Sequence, residues 1–310
     1  MSALGVYLRG VLMGAADIVP GVSGGTMAFI TGIYDRLLAS IRAFDLQLIR
    51  HLLGADFRVA WAHVDGGFQL ALMAGIATSI LTLARGISWV LEHHPVPLWA
   101  FFFGLILASA LVLLRQVEAW HPLRLVALLV GTAVAAGIAL SPMISLDDGL
   151  AGVFLAGFLA ICAMILPGIS GSFILVLLGM YGPTLAALKG FDLTYLLVLA
   201  LGAGCGLLCF SRLLHWLLQR AHQATMSLLT GFLFGSLLVV WPWKRTLAWV
   251  EGSHGQLKPA QQWPTSPLDF QVTTGTDPQV ALCLALMVVG FLAVWVIDAR
   301  WGSAARSAGS

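Results

Sequence analysis

In an otherwise apolar chain, two short runs gather the groups that could hold a ligand: Pro20-Gly21-Val22-Ser23-Gly24-Gly25 and Pro167-Gly168-Ile169-Ser170-Gly171-Ser172. Each proline removes a backbone donor and the glycines permit a tight reversal, so each run breaks a helix. The residues after Ser23, TMAFITGIYDRLL, are helix-compatible. Ser23 can therefore cap a new helix, leaving the amides of Gly24, Gly25 and Thr26 pointing out unpaired. Ser170, Gly171 and Ser172 offer the same groups. A helix N-terminus of glycine amides and hydroxyls suits an anion, best a phosphate or a carboxylate. Small residues also let membrane helices pack closely, and singly each run fits that reading equally well. Their pairing at a fixed spacing favours a binding site.

Arg85 and Arg212 stand inside apolar runs, 127 residues apart. An intramembrane arginine marks a ligand site by default, although a long side chain near a span end can also snorkel to the interface. Asp17 lies in the first broken run, with Met164 at the corresponding place in the second. It could pair with Arg9 or another arginine, or carry a transported proton. Gly21 to Gly25 also fits the GxSxG pattern of a nucleophilic serine. That serine needs a general base within reach, and the histidines fall in loops or near span ends, His215 included. The pattern further expects a strand–turn–helix setting, which these apolar flanks do not supply. An intramembrane serine hydrolase using Ser23 is thus the weakest reading. Cys162, Cys205, Cys209 and Cys283 lie in apolar runs with no CxxC and no histidine following at ligand spacing. They read as packed free thiols, and no metal or cofactor is expected.

The elements that must position these groups are membrane spans. Of 310 residues, 59% are hydrophobic and 10% charged, with a mean hydropathy of +0.94. That is membrane-protein composition. No basic cluster with interleaved aromatics occurs, which excludes nucleic acid as a partner. Broken backbone at membrane depth is tolerated only inside protein or against a polar cavity, so both broken runs must face inward. The sequence predicts a first repeat over 1–140, with a re-entrant hairpin at 8–41, a polar connection over 42–66, and spans at 68–91, 98–114 and 123–140. A second repeat over 141–310 has a re-entrant hairpin at 150–189 and spans at 193–218, 225–241 and 279–298. A polar stretch, 242–278, separates its last two spans. These runs are about the length that a ~30 Å hydrocarbon layer requires.

Two gapless matches define the repeats. The hairpins correspond 147 residues apart, through Pro20/Pro167, Gly32/Gly179, Tyr34/Tyr181 and Leu38/Leu185. Residues 70–112 correspond to 197–239, 127 residues on, through Gly75/Gly202, Arg85/Arg212, Trp89/Trp216, Gly104/Gly231 and Ser109/Ser236. If each hairpin enters and leaves on one face, ten basic residues fall on one side: Arg9, Arg36, Arg42, Arg50, Arg58, Arg115, Arg124, Arg220, Arg300 and Arg306. Only Lys189, Lys244, Arg245 and Lys258 fall on the other. The positive-inside rule then predicts cytoplasmic termini. Three spans per half is an odd number, so the second half is inverted. The expected fold is an all-α polytopic membrane protein of two inverted-topology repeats, each a re-entrant hairpin plus three spans.

The stretch RGVLMGAADIVPGVSGGTMAFITGIYDRLL, with its second copy LPGISGSFILVLLGMYG, resembles the bacterial PopT-type undecaprenyl-phosphate translocases over nearly the whole chain. The resemblance implies a transporter, not an enzyme. Its implied partner is undecaprenyl phosphate or a related polyprenyl-phosphate lipid, moved from the outer to the cytoplasmic leaflet of the inner membrane. It carries the family's motif onto Arg9, Asp17, Pro20, Ser23, Gly24, Gly25, Thr26, Tyr34 and Asp35. In the second half the motif falls on Pro167, Ser170, Gly171, Ser172 and Tyr181. From the residues alone, the firm expectation is an inverted-repeat carrier of an anionic ligand, and a small-anion transporter is the alternative.

Overall fold

A computed structural model of the chain describes residues 1–18, 23–115, 117, 121–144, 146–147, 149–251 and 257–299. Pro20 and Gly21 of the first loop, and Arg300 and Arg306 of the basic tally, lie outside the described residues. The first half runs α1 (Ala3–Ile18), α2 (Gly24–Ile30), α3 (Tyr34–Arg42), α4 (Leu46–Leu53), α5 (Phe57–His63), α6 (Gly66–His93), α7 (Pro95–Leu114) and α8 (Pro122–Leu140). The second runs α9 (Leu150–Ile165), α10 (Gly171–Leu177), α11 (Tyr181–Gly190), α12 (Leu193–Arg220) and α13 (His222–Ser236). It continues with β1 (Lys244–Glu251), β2 (Leu257–Pro264), α14 (Pro267–Thr274) and α15 (Val280–Ile297). Helix ends fall at the two spacings of the sequence: α1, α2 and α3 start 147 residues before α9, α10 and α11, while α6 starts and ends 127 before α12.

Local chemistry sets several of these starts. Asp45 accepts the amides of Gln47 and Leu48, Asp192 that of Tyr195 and Ser266 that of Asp269, each an N-cap. Pro95, Pro122 and Pro267 fall in first turns, where a missing amide costs nothing. Among the described residues α6, α7, α8, α12 and α15 are long and apolar enough to cross a bilayer. The protein is a polytopic membrane protein, helical apart from the small β1–β2 hairpin.

Four helix pairs carry most of the packing: α1 on α6, α9 on α12, α8 on α13 and α7 on α15. Lipid gives helices no hydrophobic reason to associate, so close backbone approach must hold them. Glycines supply it reciprocally. A methyl group on Gly10 would strike the carbonyl of Leu72, and one on Gly75 that of Tyr7. Gly157 and Gly202 stand in the same relation to Leu199 and Phe154, and Gly131 and Gly231 to Leu228 and Leu128. Gly104 and Gly290 complete the set against Met287 and Phe101. Because α7 packs on α15 and α13 on α8, the two halves interlock.

Three expectations change. The second leg of each hairpin is not one half-helix: Gly32 (φ 69°) and Gly179 (φ 70°) take left-handed backbone and end α2 and α10. The bend between α10 and α11 is 108°. The span predicted over 225–241 stops as a helix at Ser236, and four residues of turn follow. The Lys244 ammonium then takes the free Val239 carbonyl at 2.7 Å while lying 3.8 Å from the Trp99 ring centre. Finally, the polar connections are structured. Helices α4 and α5 fill the first, with Leu46, Ile49, Leu53, Phe57 and Trp61 exposed. The antiparallel β1–β2 hairpin and α14 fill the second, pinned by indole donors from Trp241 to the Thr265 carbonyl and from Trp243 to the Pro278 carbonyl, both 2.9 Å.

Candidate functional site

The two broken runs meet inside the bundle. Ser23 has extended backbone (φ −116°, ψ 135°) and caps α2, accepting the Gly25 amide at 3.1 Å. Its hydroxyl proton goes across to the Met164 carbonyl at 3.0 Å, not to a base. Tyr34 donates to the Ile165 carbonyl at 3.0 Å, and Thr26 Oγ1 accepts the Gly168 amide at 2.9 Å. Met164 and Ile165 end α9, where carbonyls have no helical partner. The first hairpin thus satisfies the C-terminus of the second half's entry helix. All seven residues of α2 are buried.

The three amides expected to be free at the first tip are taken. Gly24 donates to Asp17 Oδ1 at 2.6 Å, Gly25 to Ser23 Oγ, and Thr26 to the Ser23 carbonyl at 2.9 Å. A carboxylate from the preceding helix already occupies the positive end of α2, a match that sequence spacing alone did not reveal. Asp17 forms no ion pair with a described arginine. The buried Arg9 instead ties down the Gly32 turn, donating from Nε to the Thr31 carbonyl at 3.1 Å and from Nη1 to the Gly5 carbonyl at 2.9 Å. The tip glycines pack closely rather than leave room: a Cβ on Gly25 would lie 2.9 Å from the Ile165 oxygen, and one on Gly171 2.8 Å from that of Ala160.

The second tip is different. Gly168 takes φ +90°, and Ser170 precedes α10 without capping it. The Ser170 and Ser172 hydroxyls bond each other at 2.9 Å. The amides of Gly171, Ser172 and Phe173 have no acceptor among the described residues. Ser170 lines a small cleft of about 10 Å³, room for about one water molecule, walled by α8, Phe173 and Ser236. Ser236 was visible beforehand only as the repeat partner of Ser109; nothing in its own surroundings singled it out.

The remaining expected residues lie elsewhere. Arg212 is exposed on α12 and reaches the Phe44 carbonyl from Nη2 at 3.4 Å. Arg85 is exposed on α6 with no described partner, and Tyr181 is half-buried with none. Ser23, Gly24, Gly25, Thr26, Asp17, Tyr34 and Arg9 therefore gather around the first hairpin, while Ser170 lines the cleft with Gly171 and Ser172 following it at the start of α10. The arginine pair makes no hydrogen bond to the described residues of either tip. What the arrangement offers is one satisfied polar centre beside an unsatisfied one, both within apolar helices.

Residues 13–258 match the family model described as undecaprenyl phosphate translocase-like. Over 288 residues the chain is 48% identical to a protein of Vibrio cholerae serotype O1 named polyprenyl-phosphate transporter, covering 93% of this chain and 94% of that one. A Staphylococcus aureus protein of the same name is 32% identical over 262 residues, 76% of this chain and 85% of its own. No solved structure matches.

Proposed function

The chain belongs to the undecaprenyl phosphate translocase-like family, and we propose on that premise that it carries polyprenyl phosphate across the bacterial inner membrane. The substrate is undecaprenyl phosphate or a close relative, moved from the outer to the cytoplasmic leaflet so that the carrier returns to cell-wall synthesis. One observation carries the reading: Ser170 lines a small cleft within an apolar helix bundle, its hydroxyl bonded to that of Ser172, and the three amides that follow it have no acceptor among the described residues. A lipid phosphate needs donors for its head at membrane depth while its tail stays in hydrocarbon. The second tip has donors of that kind, and in this reading its cleft widens to receive the phosphate first.

At the first tip the Asp17 carboxylate holds the Gly24 amide in the phosphate's place. Transfer to Ser23, Gly24, Gly25 and Thr26 then requires Asp17 to withdraw, while Arg9 holds the far end of α2 through the Thr31 carbonyl. Tyr34 holds the first hairpin, and in this reading Arg85 and Arg212 stand at opposite faces. Inverted repeats with both termini cytoplasmic give the alternating access this requires; the uneven basic residues favour that orientation. The names of the relatives favour a lipid over a small anion.

Reconstitution into vesicles with undecaprenyl phosphate in one leaflet tests the function. Protein-dependent arrival of the lipid in the other leaflet is expected. Failure of lipid movement alongside uptake of inorganic phosphate would replace this reading with the small-anion carrier.

A further inference from the structure

The hydrogen bonds between the halves are one-sided, although the residues that make them are two-sided. Ser23 donates to the Met164 carbonyl and Tyr34 to that of Ile165. The residues 147 apart from these are Ser170 and Tyr181 as donors and Asp17 and Ile18 as carbonyls. Neither of those bonds is made: Ser170 pairs with Ser172, and Tyr181 has no described partner. Arg212 reaches the Phe44 carbonyl; the repeat partners are Arg85 and Phe191, both exposed and apart. Packing repeats the pattern. Helix α3 lies against α12 of the other half, whereas α11 has no such packing on α6. Every residue of α2 is buried, against only Gly171 and Ile174 of α10. One contact lacks a counterpart, since Phe173 stands where the first half has Thr26.

We propose that these are two alternative docks that exchange during transport, with Ser170, Tyr181 and Arg85 as positioning residues whose seats are the carbonyls of Asp17, Ile18 and Phe191. The proposal rests on the inverted-repeat carrier reading. In the structure the first hairpin is docked and the second released, which leaves the small cleft at the second tip. In the other state the first hairpin releases and the second seals. The seats have a physical basis: Asp17 and Ile18 end α1, where carbonyls lack helical partners, as Met164 and Ile165 do at the end of α9. Both states use the same donor types on the same kind of carbonyl. Their energies therefore lie close, the condition for a carrier that must visit both. The Phe44 end is the closed face and, with cytoplasmic termini, the structure faces outward.

Two cysteine pairs in a background lacking Cys162, Cys205, Cys209 and Cys283 read the docks through a short thiol cross-linker. Phe44→Cys with Leu213→Cys reports the present dock, and Phe191→Cys with Gly86→Cys the other; Gly86 has open space for a side chain. Both pairs should link, and linking either should stop transport. Arg212→Ala should lower the first yield and raise the second several-fold, and Arg85→Ala should do the reverse. Lysine at either position keeps a donor and should restore the wild-type balance. A second pair that never links in transporting protein overturns the proposal, as do alanine variants that shift both yields in one direction. Yields are read without substrate, so exchange in a protein that moves no polyprenyl phosphate removes the lipid reading and leaves the docks. Hydrogen exchange of the two alanine variants with native cysteines gives the same answer independently: protection over 34–44 and 181–191 should change in opposite senses.

Discussion

Ser23 and Ser170 hold equivalent places in the repeat yet are bonded differently, and their alanine variants should fail differently. Ser23→Ala removes an N-cap and a bond across the halves, each about 1 kcal/mol, so stability should fall along with transport. Ser170→Ala loses neither; its hydroxyl faces the cleft beside Ser172. Transport should drop several-fold with the melting temperature almost unchanged. Equal loss of stability in both variants, measured by thermal unfolding in detergent, would reject this assignment. Lys244, outside the spans, offers a pH test. Burial pushes its ammonium down from 10.5 to about 7. Between those values the unfolded chain keeps a proton that the folded chain sheds, so the penalty is full below about pH 7 and fades as pH rises. Wild type should therefore gain in melting temperature relative to Lys244→Met between pH 7 and pH 10. A constant difference would mean that the lysine stays charged in place.

At the scale of elements, the glycines divide into two kinds that sequence does not separate. Gly104 and Gly231 lie where a methyl group meets backbone of the partner helix, whereas Gly86, Gly137 and Gly204 lie in open space. Gly104→Ala should force α7 away from α15 and lower the yield of folded protein sharply. Gly137→Ala on α8 should raise stability slightly, by up to about 1 kcal/mol, because only helix propensity changes. The contrast is read from melting temperatures of purified single variants. Helices α4 and α5 are the extra piece of the first half, inserted between Asp45 and Asp65. The Arg36–Asp65 pair at 2.6 Å holds their far end and keeps the Asp65 carboxyl below the usual range. Both groups are part-exposed, so the pair adds only about 0–1 kcal/mol.

For the whole molecule, the two structured connections should lie on opposite faces of the membrane. Leu53 of α4 and Val272 of α14 are among the most exposed apolar side chains and suit labelling. Leu53→Cys should react with a membrane-impermeant thiol reagent only from the cytoplasmic side, and Val272→Cys only from the outer side. Labelling of both from one side would reject the inverted topology, and with it the alternating docks.

Much of this protein was legible in the sequence because membrane physics is local. A bilayer demands long apolar runs, and a break in such a run shows as proline, glycine and serine where none belong. Most helix positions followed, although the helix expected over 225–241 ends at Ser236, and the sequence repeat matches Ser23 with Ser170 and Arg85 with Arg212. What spacing could not decide was which polar groups find each other. Asp17 gave no sign that it would take the Gly24 amide, because the two are joined through a reversal whose geometry periodicity does not encode. Nor could two like-sequenced hairpins reveal that one is docked and the other free. Identical local signals fit either arrangement, and only long-range contacts, Tyr34 on Ile165 and Arg212 on Phe44, choose between them.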